Sequence, residues 1–151
     1  MSKQHLQRVN LLQQLGKNLA RRAKSCCELC SENTSLYSLE IPPFPEEPSL
    51  ENSLFLCEIC IQRMLVILPN SNSTLSKPQK VKLDILFLSN DLLFLQQKIW
   101  SDVPVVQISA VLMSHKAMSL GIGWAIEMID GVFLEEENLN WFQELLISAQ
   151  L

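Results

Sequence analysis

The sequence predicts an α+β protein in which a small cysteine-bearing module is followed by a helical bundle. Three observations support this fold class. Two Cys-x-x-Cys motifs, Cys27 to Cys30 and Cys57 to Cys60, lie in the first half of the chain. Residues 36–41 alternate between apolar and polar side chains, as a strand does. In the second half, apolar residues recur at helical spacing between glycines and helix-capping residues.

The chain begins with a predicted amphipathic helix over residues 4–24. Gly16 lies inside it and costs about 1 kcal/mol relative to alanine. The apolar residues of this segment follow one another at intervals of three and four, which places them on one face of the helix. They are Leu6, Val9, Leu12, Leu15, Leu19 and Ala23.

The two cysteine pairs are predicted to hold one zinc ion. Zn²⁺ takes four thiolates in tetrahedral geometry, and a Cys-x-x-Cys turn presents two sulfurs on one side of a tight loop. The expected ligands are Cys27, Cys30, Cys57 and Cys60. A site with four cysteine ligands leaves no coordination position for water, so the prediction is a structural metal site and not a catalytic one.

Cys26 makes the register of the first pair ambiguous, because Cys26 and Cys30 would have the spacing Cys-x-x-x-Cys. We favour Cys27 since its spacing to Cys30 equals that of Cys57 to Cys60. A redox pair would need a βαβ setting, which the sequence does not predict. The second pair is expected at a helix N-terminus, which lowers the pKa of a thiol and favours its metal-binding form.

A β-hairpin is predicted between the two cysteine pairs. The strand at 36–41 ends at a proline-rich loop, and a second strand at 53–56 runs into Cys57. A helix over residues 61–68 then starts at the second pair. This order of knuckle, hairpin and helix is typical of zinc-ribbon and treble-clef-like modules.

A polar, proline-bounded linker over residues 69–80 separates two predicted domains, 1–68 and 81–151. The second domain is predicted to be helical. The stretch from Leu83 to Trp100 is apolar and is expected to be split at Asn90 and Asp91 into a short extended piece and a helix from about residue 91. Further helices are expected from Ser101 or Asp102 to Gly121, from Trp124 to Asp130, and from Glu135 onward.

The net charge of −4 is unevenly distributed. Acidic residues dominate the second half, whereas every charged side chain in residues 1–24 is basic. Such a segment can contact phosphates. Nucleic-acid binding, with steep salt dependence, is therefore an alternative function to a merely solvated helix face. The residues concerned are Lys17, Arg21, Arg22 and Lys24.

Composition also bears on location and partners. No apolar run reaches the roughly 20 residues that a membrane span needs, and the N-terminus lacks the apolar core of a signal peptide. We therefore expect a cytoplasmic protein that does not enter a membrane. The mean hydropathy of +0.15 is positive, which favours a protein partner or a homo-oligomer.

Several of these residues together resemble the PhnA-like proteins of proteobacteria. The segment from Arg22 to Cys30, with Tyr37, Pro42, Pro43, Cys57 and Cys60, is similar to the N-terminal zinc-ribbon segment of that family. Trp100–Gln107 resembles its W-S-x-V-P-A-V-Q stretch. The helical end is similar in Trp124, Met128, Phe133, Leu134, Glu135, Glu136, Glu137 and Trp141.

The resemblance covers roughly residues 20–145, and it implies a zinc-binding module with the four cysteines as ligands, followed by a helical segment. The chain departs from the family pattern in three ways, the first being a longer and more polar linker. The SH3-like β-domain of longer members has no counterpart up to Leu151, and the family's His-Trp pair is replaced near Leu93 and Phe94.

Catalysis is not expected. Zinc-bearing HNH nucleases need histidines between the knuckles to hold a catalytic metal. Residues 31–56 contain no histidine, and the chain carries only His5 and His115. The leading prediction is therefore a non-catalytic zinc-binding protein that acts through protein interaction. An enzyme or accessory protein of phosphonate metabolism is a further alternative, and the family name is its only support.

Overall fold

The computed structural model describes residues 3–76 and 80–151. Residues 77–79 of the predicted linker lie outside this range. The described part is α+β, with helices and a small antiparallel sheet, as predicted. The chain divides into two compact units, the first comprising Met1–Gln62 and Asn70–Lys80 and the second Arg63–Pro69 and Val81–Leu151.

The predicted N-terminal helix is divided into two helices, α1 (Lys3–Gln14) and α2 (Gly16–Ala23). The division falls at Leu15, just before the glycine. Leu12 and Leu19 are fully buried, so the apolar stripe supplies the core of the first unit. Because the stripe continues across the break, periodicity alone does not reveal where one helix ends.

The sheet has the strand order β2-β1-β3. The first two strands, β1 (Leu36–Glu40) and β2 (Ser53–Cys57), form the predicted hairpin. The third strand, β3 (Asn72–Ser73), pairs with the other edge of β1. It lies within the predicted linker, so part of that stretch is packed against the first unit. The cause is long-range, since Thr74 exchanges backbone and side-chain hydrogen bonds with Ser38.

A buried ion pair ties α1 to the sheet. Glu40 on β1 is fully buried, and Arg8 donates to both of its carboxylate oxygens, at 2.8 and 2.7 Å. Asn72 of β3 donates a further hydrogen bond to the same carboxylate at 3.0 Å. Arg8 also donates to the backbone carbonyls of Pro45 and Glu46. A buried carboxylate needs such partners, because desolvating an unpaired charge is costly.

The helix predicted at the second cysteine pair is α3 (Glu58–Ile67). It begins immediately after β2, and the boundary between the two units falls inside it, after Gln62. The predicted domain boundary lay later, at residue 68. The difference arises because the last turn of this helix packs within the second unit, where Met64 and Ile67 are fully buried.

The second unit is built from short helices around one long buried helix. The apolar stretch 83–100 forms α4 (Leu83–Leu86), a 3-10 turn at Ser89–Leu92 and α5 (Leu95–Lys98). Helix α4 takes the place of the short extended piece that the sequence predicts. The later helices are α6 (Pro104–Ser119), α7 (Gly123–Asp130) and α8 (Glu136–Ser148). Helix α6 is buried along most of its circumference and contacts α5, α7 and α8. A helix that is apolar on all sides is expected at the centre of such a unit.

Candidate metal centre

The fold brings together two cysteine pairs that flank the hairpin in the sequence, one before β1 and the other at the end of β2. Cys27 and Cys30 occupy the tight turn that follows α2. In that turn the N–H of Ser31 donates to the carbonyl of Cys27 at 3.0 Å. Cys57 is the last residue of β2, and Cys60 lies in the first turn of α3. The β1–β2 register places Leu36 opposite Cys57, so the strand pairing delivers the second pair to the turn.

The four sulfur atoms have the spacing of a metal site. All of them lie within 4.8 Å of one another, and the sulfurs of Cys30 and Cys57 are 3.5 Å apart. Tetrahedral zinc with Zn–S bonds of about 2.3 Å requires sulfurs about 3.8 Å apart. A disulfide needs about 2 Å, and none of the five cysteines, all within the described residues, forms a disulfide. The cluster is therefore able to hold a metal ion.

The cluster is enclosed. Cys27, Cys57 and Cys60 are buried, and Cys30 is half-buried. Each residue offers one sulfur, so four protein ligands satisfy tetrahedral coordination without a position for water. The arrangement suits a metal ion that holds chain segments together, and it offers no site at which a substrate could replace a ligand.

The four thiols titrate as one group because their sulfurs are in mutual contact. Hydrogen bonds from Cys30, Cys57 and Cys60 hold the pKa of Cys27 far below its ordinary value. The hydrogen bond with Cys27 raises the pKa of Cys30, but those with Cys57 and Cys60 outweigh it and lower the value to about 7. Hydrogen bonds to Cys27 and then to Cys30 raise the pKa of Cys57 and Cys60.

This outcome differs from the lowered pKa values expected for Cys57 and Cys60 at a helix N-terminus. The interactions among the sulfurs outweigh the effect of the helix N-terminus, because a first thiolate opposes the ionisation of the others. A divalent cation removes this conflict, since it favours the thiolate form of every ligand. The electrostatics of the cluster thus favour a cation at its centre.

Glu28, between Cys27 and Cys30, anchors their turn to the rest of the unit. Its carboxylate accepts two hydrogen bonds from the guanidinium of Arg22, at 2.9 and 2.8 Å, and one from the N–H of Phe55 at 2.8 Å. Arg22 also donates to the carbonyls of Leu50 and Ser53. We call this group the Arg22–Glu28 clamp. It joins α2, the first cysteine turn and β2.

Sequence reasoning did not identify this clamp and instead placed Arg22 among residues that could contact phosphates. The local sequence signal for the clamp is an acid, Glu28, between Cys27 and Cys30, with Arg22 six residues before it. The contact across to β2 has no local signature. Because its guanidinium is committed to Glu28, Arg22 does not contribute a free charge to the surface.

Cys26 is only partly buried and does not belong to the group of sulfurs that can share an ion. Within residues 3–76 and 80–151, the four cysteines are the one group of three or more His, Cys, Asp or Glu side chains able to do so. His115 lies in the second unit, on α6, with its ring centroid 5.3 Å from that of Phe142. Burial lowers the pKa of His115.

Comparison of the chain with protein-family models, with curated proteins and with solved structures found no match. The resemblance to the PhnA-like proteins therefore stays a prediction. In the part of the chain that the structure describes, none of the helices has the length and apolar character needed to cross a membrane.

Proposed function

We propose that Cys27, Cys30, Cys57 and Cys60 form a structural zinc site, and that the protein is a non-catalytic zinc-binding protein acting through protein interaction. The observation that carries the zinc site is the convergence of four thiol sulfurs to within 4.8 Å of one another. Two of these residues follow α2 and two lie at the junction of β2 and α3. One ion would therefore join segments of the first unit that are far apart in sequence.

The donor set supports zinc over harder cations. Four sulfur ligands in a tetrahedral arrangement suit Zn²⁺ or an iron–sulfur centre, whereas Mg²⁺ and Ca²⁺ take oxygen ligands. Both sulfur-bound alternatives are distinguished by elemental analysis and colour. One ion satisfies all four ligands without inorganic sulfide, which a single zinc or a single iron could do. Zinc is the proposal because closed sites with four cysteine ligands are typical of structural zinc.

Metal removal tests this proposal. Protein purified without added metal is expected to contain one zinc per chain and no iron. Chelation should release the ion and unfold the first unit, since metal binding and folding are coupled in sites of this kind. Circular dichroism with and without chelator, and thiol titration in denaturant, provide the readout. Metal-free protein with an unchanged spectrum, or cysteines recovered as disulfides, would refute the site.

The closed geometry of the cluster supports a non-catalytic role, and the positive mean hydropathy of the chain supports the interaction role. All four ligand positions belong to the protein, so the ion has no position at which to activate water or a substrate. A place in phosphonate metabolism has the PhnA-like resemblance as its only support, and no contact within the described residues favours it.

Nucleic-acid binding is the second candidate, because exposed basic side chains lie on α2 and directly after its last residue, Ala23. Lys17, Arg21 and Lys24 follow one another at intervals of four and three. Binding of a labelled oligonucleotide at about 50 mM salt should fall steeply as salt rises, since phosphate contacts release counterions. Replacing Lys17 and Arg21 with alanine should reduce the slope. No binding at low salt would end this candidate.

A further inference from the structure

Two aromatic side chains of the second unit are exposed to an unusual extent. Trp100, at the end of the turn after α5, is 56 % exposed, and Phe133, between α7 and α8, is 70 % exposed. Large aromatic side chains each bury about 150–250 Å² when they are covered. Leaving two of them in water is unfavourable, and aromatic residues dominate the energetics of protein interfaces.

Gln107 on α6 holds the backbone at the two aromatic residues in one place. Its side-chain amide donates to the carbonyl of Ile99 at 2.8 Å and to that of Phe133 at 3.3 Å. The two carbonyl oxygens therefore lie at most about 6 Å apart, because both contact the same nitrogen. Trp100 directly follows Ile99. The backbone segments that carry Trp100 and Phe133 therefore lie next to each other, although the two residues are far apart in sequence.

Exposed acids lie near both aromatic residues along the chain. Asp102 follows Trp100 by two residues, Glu135 follows Phe133 by two, and Asp130 precedes Phe133 by three, and all three are exposed. Chain length alone keeps each of these Cα atoms within about 11 Å of the aromatic residue. The surface therefore combines two exposed aromatic side chains with a mainly acidic rim, in which Lys98, two residues before Trp100 and half-buried, is the one base at a similar distance along the chain. We call Trp100, Phe133 and these three acids the aromatic-acidic patch.

We propose that the aromatic-acidic patch binds a cationic amphipathic helix of a partner protein. The apolar face of such a helix would cover Trp100 and Phe133, while its lysines or arginines would face the acidic rim. The charge of the rim decides between occupants. A second copy docking through the same patch would place acids against acids, and an anionic membrane surface would be repelled.

This inference names a partner for the interaction role proposed above and rests on it, but it does not depend on the metal. The patch lies wholly in the second unit, whereas the cysteine cluster lies in the first. Metal content measured on the same preparation separates the two ideas. Zinc-loaded protein that binds no cationic helix would refute the patch and leave the zinc site intact.

The test uses the full chain and a fluorescently labelled leucine–lysine peptide that forms an amphipathic helix about four turns long. Anisotropy should show saturable one-to-one binding that weakens as salt rises. Trp100→Ser and Phe133→Ser should each weaken binding about tenfold or more, as loss of an interface anchor does. Asp102→Asn combined with Asp130→Asn should weaken binding at low salt and flatten its salt dependence.

Ile147→Ser is the matched control, because Ile147 is 88 % exposed but lies about 17 Å along α8 from Glu136, the first residue of that helix. Its affinity should equal that of the unchanged protein, and thermal melting should show that every variant folds. The patch is refuted by equal loss in the control, by equal binding of a leucine–glutamate peptide, or by wild-type dimers that Phe133→Ser dissociates.

Discussion

Cys57→Ser is expected to abolish stoichiometric metal binding and to unfold the first unit. Cys57 ends β2 and supplies one of four converging sulfurs, so serine removes a thiolate that no other side chain of the cluster replaces. Structural zinc contributes apparent binding free energies of about 10–16 kcal/mol, which couple directly to folding. That is as large as the whole stability of most small folded units, about 5–15 kcal/mol in total. Losing even part of it should leave the unit largely unfolded.

The measurement is metal content by elemental analysis, combined with limited proteolysis of the same sample. Cleavage should concentrate in the first unit. Cys26→Ser is the matched control, since Cys26 is adjacent to a proposed ligand but lies outside the sulfur cluster. It should keep one zinc and an unchanged melting temperature. A Cys57→Ser variant that retained one zinc per chain with unaltered melting would show that the ligand assignment is wrong.

Arg22→Leu is expected to destabilise the first unit by about 3 kcal/mol. The substitution leaves the buried Glu28 carboxylate with the N–H of Phe55 as its remaining recorded donor, and it strips donors from the carbonyls of Leu50 and Ser53. Removing one partner of a buried ion pair costs about 3–5 kcal/mol. The lower figure applies because the Arg22 side chain is 21 % exposed and water can partly replace it.

The same substitution should weaken zinc binding by about tenfold or more, which is typical when a group that orients a ligand is lost. Arg21→Leu provides the control, because Arg21 neighbours Arg22 but is exposed on α2. Its stability should stay within about 0.5 kcal/mol of the parent protein. Denaturant unfolding and competition with a chromophoric chelator measure both quantities.

A double-mutant cycle separates the clamp from simple loss of packing. Glu28→Gln removes the buried charge, so Arg22→Leu should cost less in that background than in the unchanged protein. Additive effects would mean that the two side chains do not interact energetically. In that case the Arg22–Glu28 clamp would be only a packing contact.

Elements with a strong local pattern could be predicted from the sequence. The first hairpin strand alternates and is followed by prolines, the second runs into a cysteine, and α7 and α8 are bounded by glycine and by acids. These signals come from residues a few positions apart, so they can be recognised in the sequence without knowledge of the rest of the fold. The division of the first helix at Leu15 and of the stretch 83–100 into short helices was not predictable in the same way. In these two segments the apolar pattern is compatible with several backbone conformations, and tertiary packing determines which of them forms.

The sequence by itself determined which cysteines could act together, because paired Cys-x-x-Cys spacing restricts the geometry of each turn. It also determined the segregation of basic and acidic charge between the two ends of the chain. Only the tertiary structure decided that Arg22 donates hydrogen bonds to Glu28, and that Arg8 and Asn72 donate hydrogen bonds to the buried Glu40. It alone assigned Asn72 and Ser73 to the sheet. These are contacts between residues far apart in sequence, whose free energy depends on burial, and burial has no local signature.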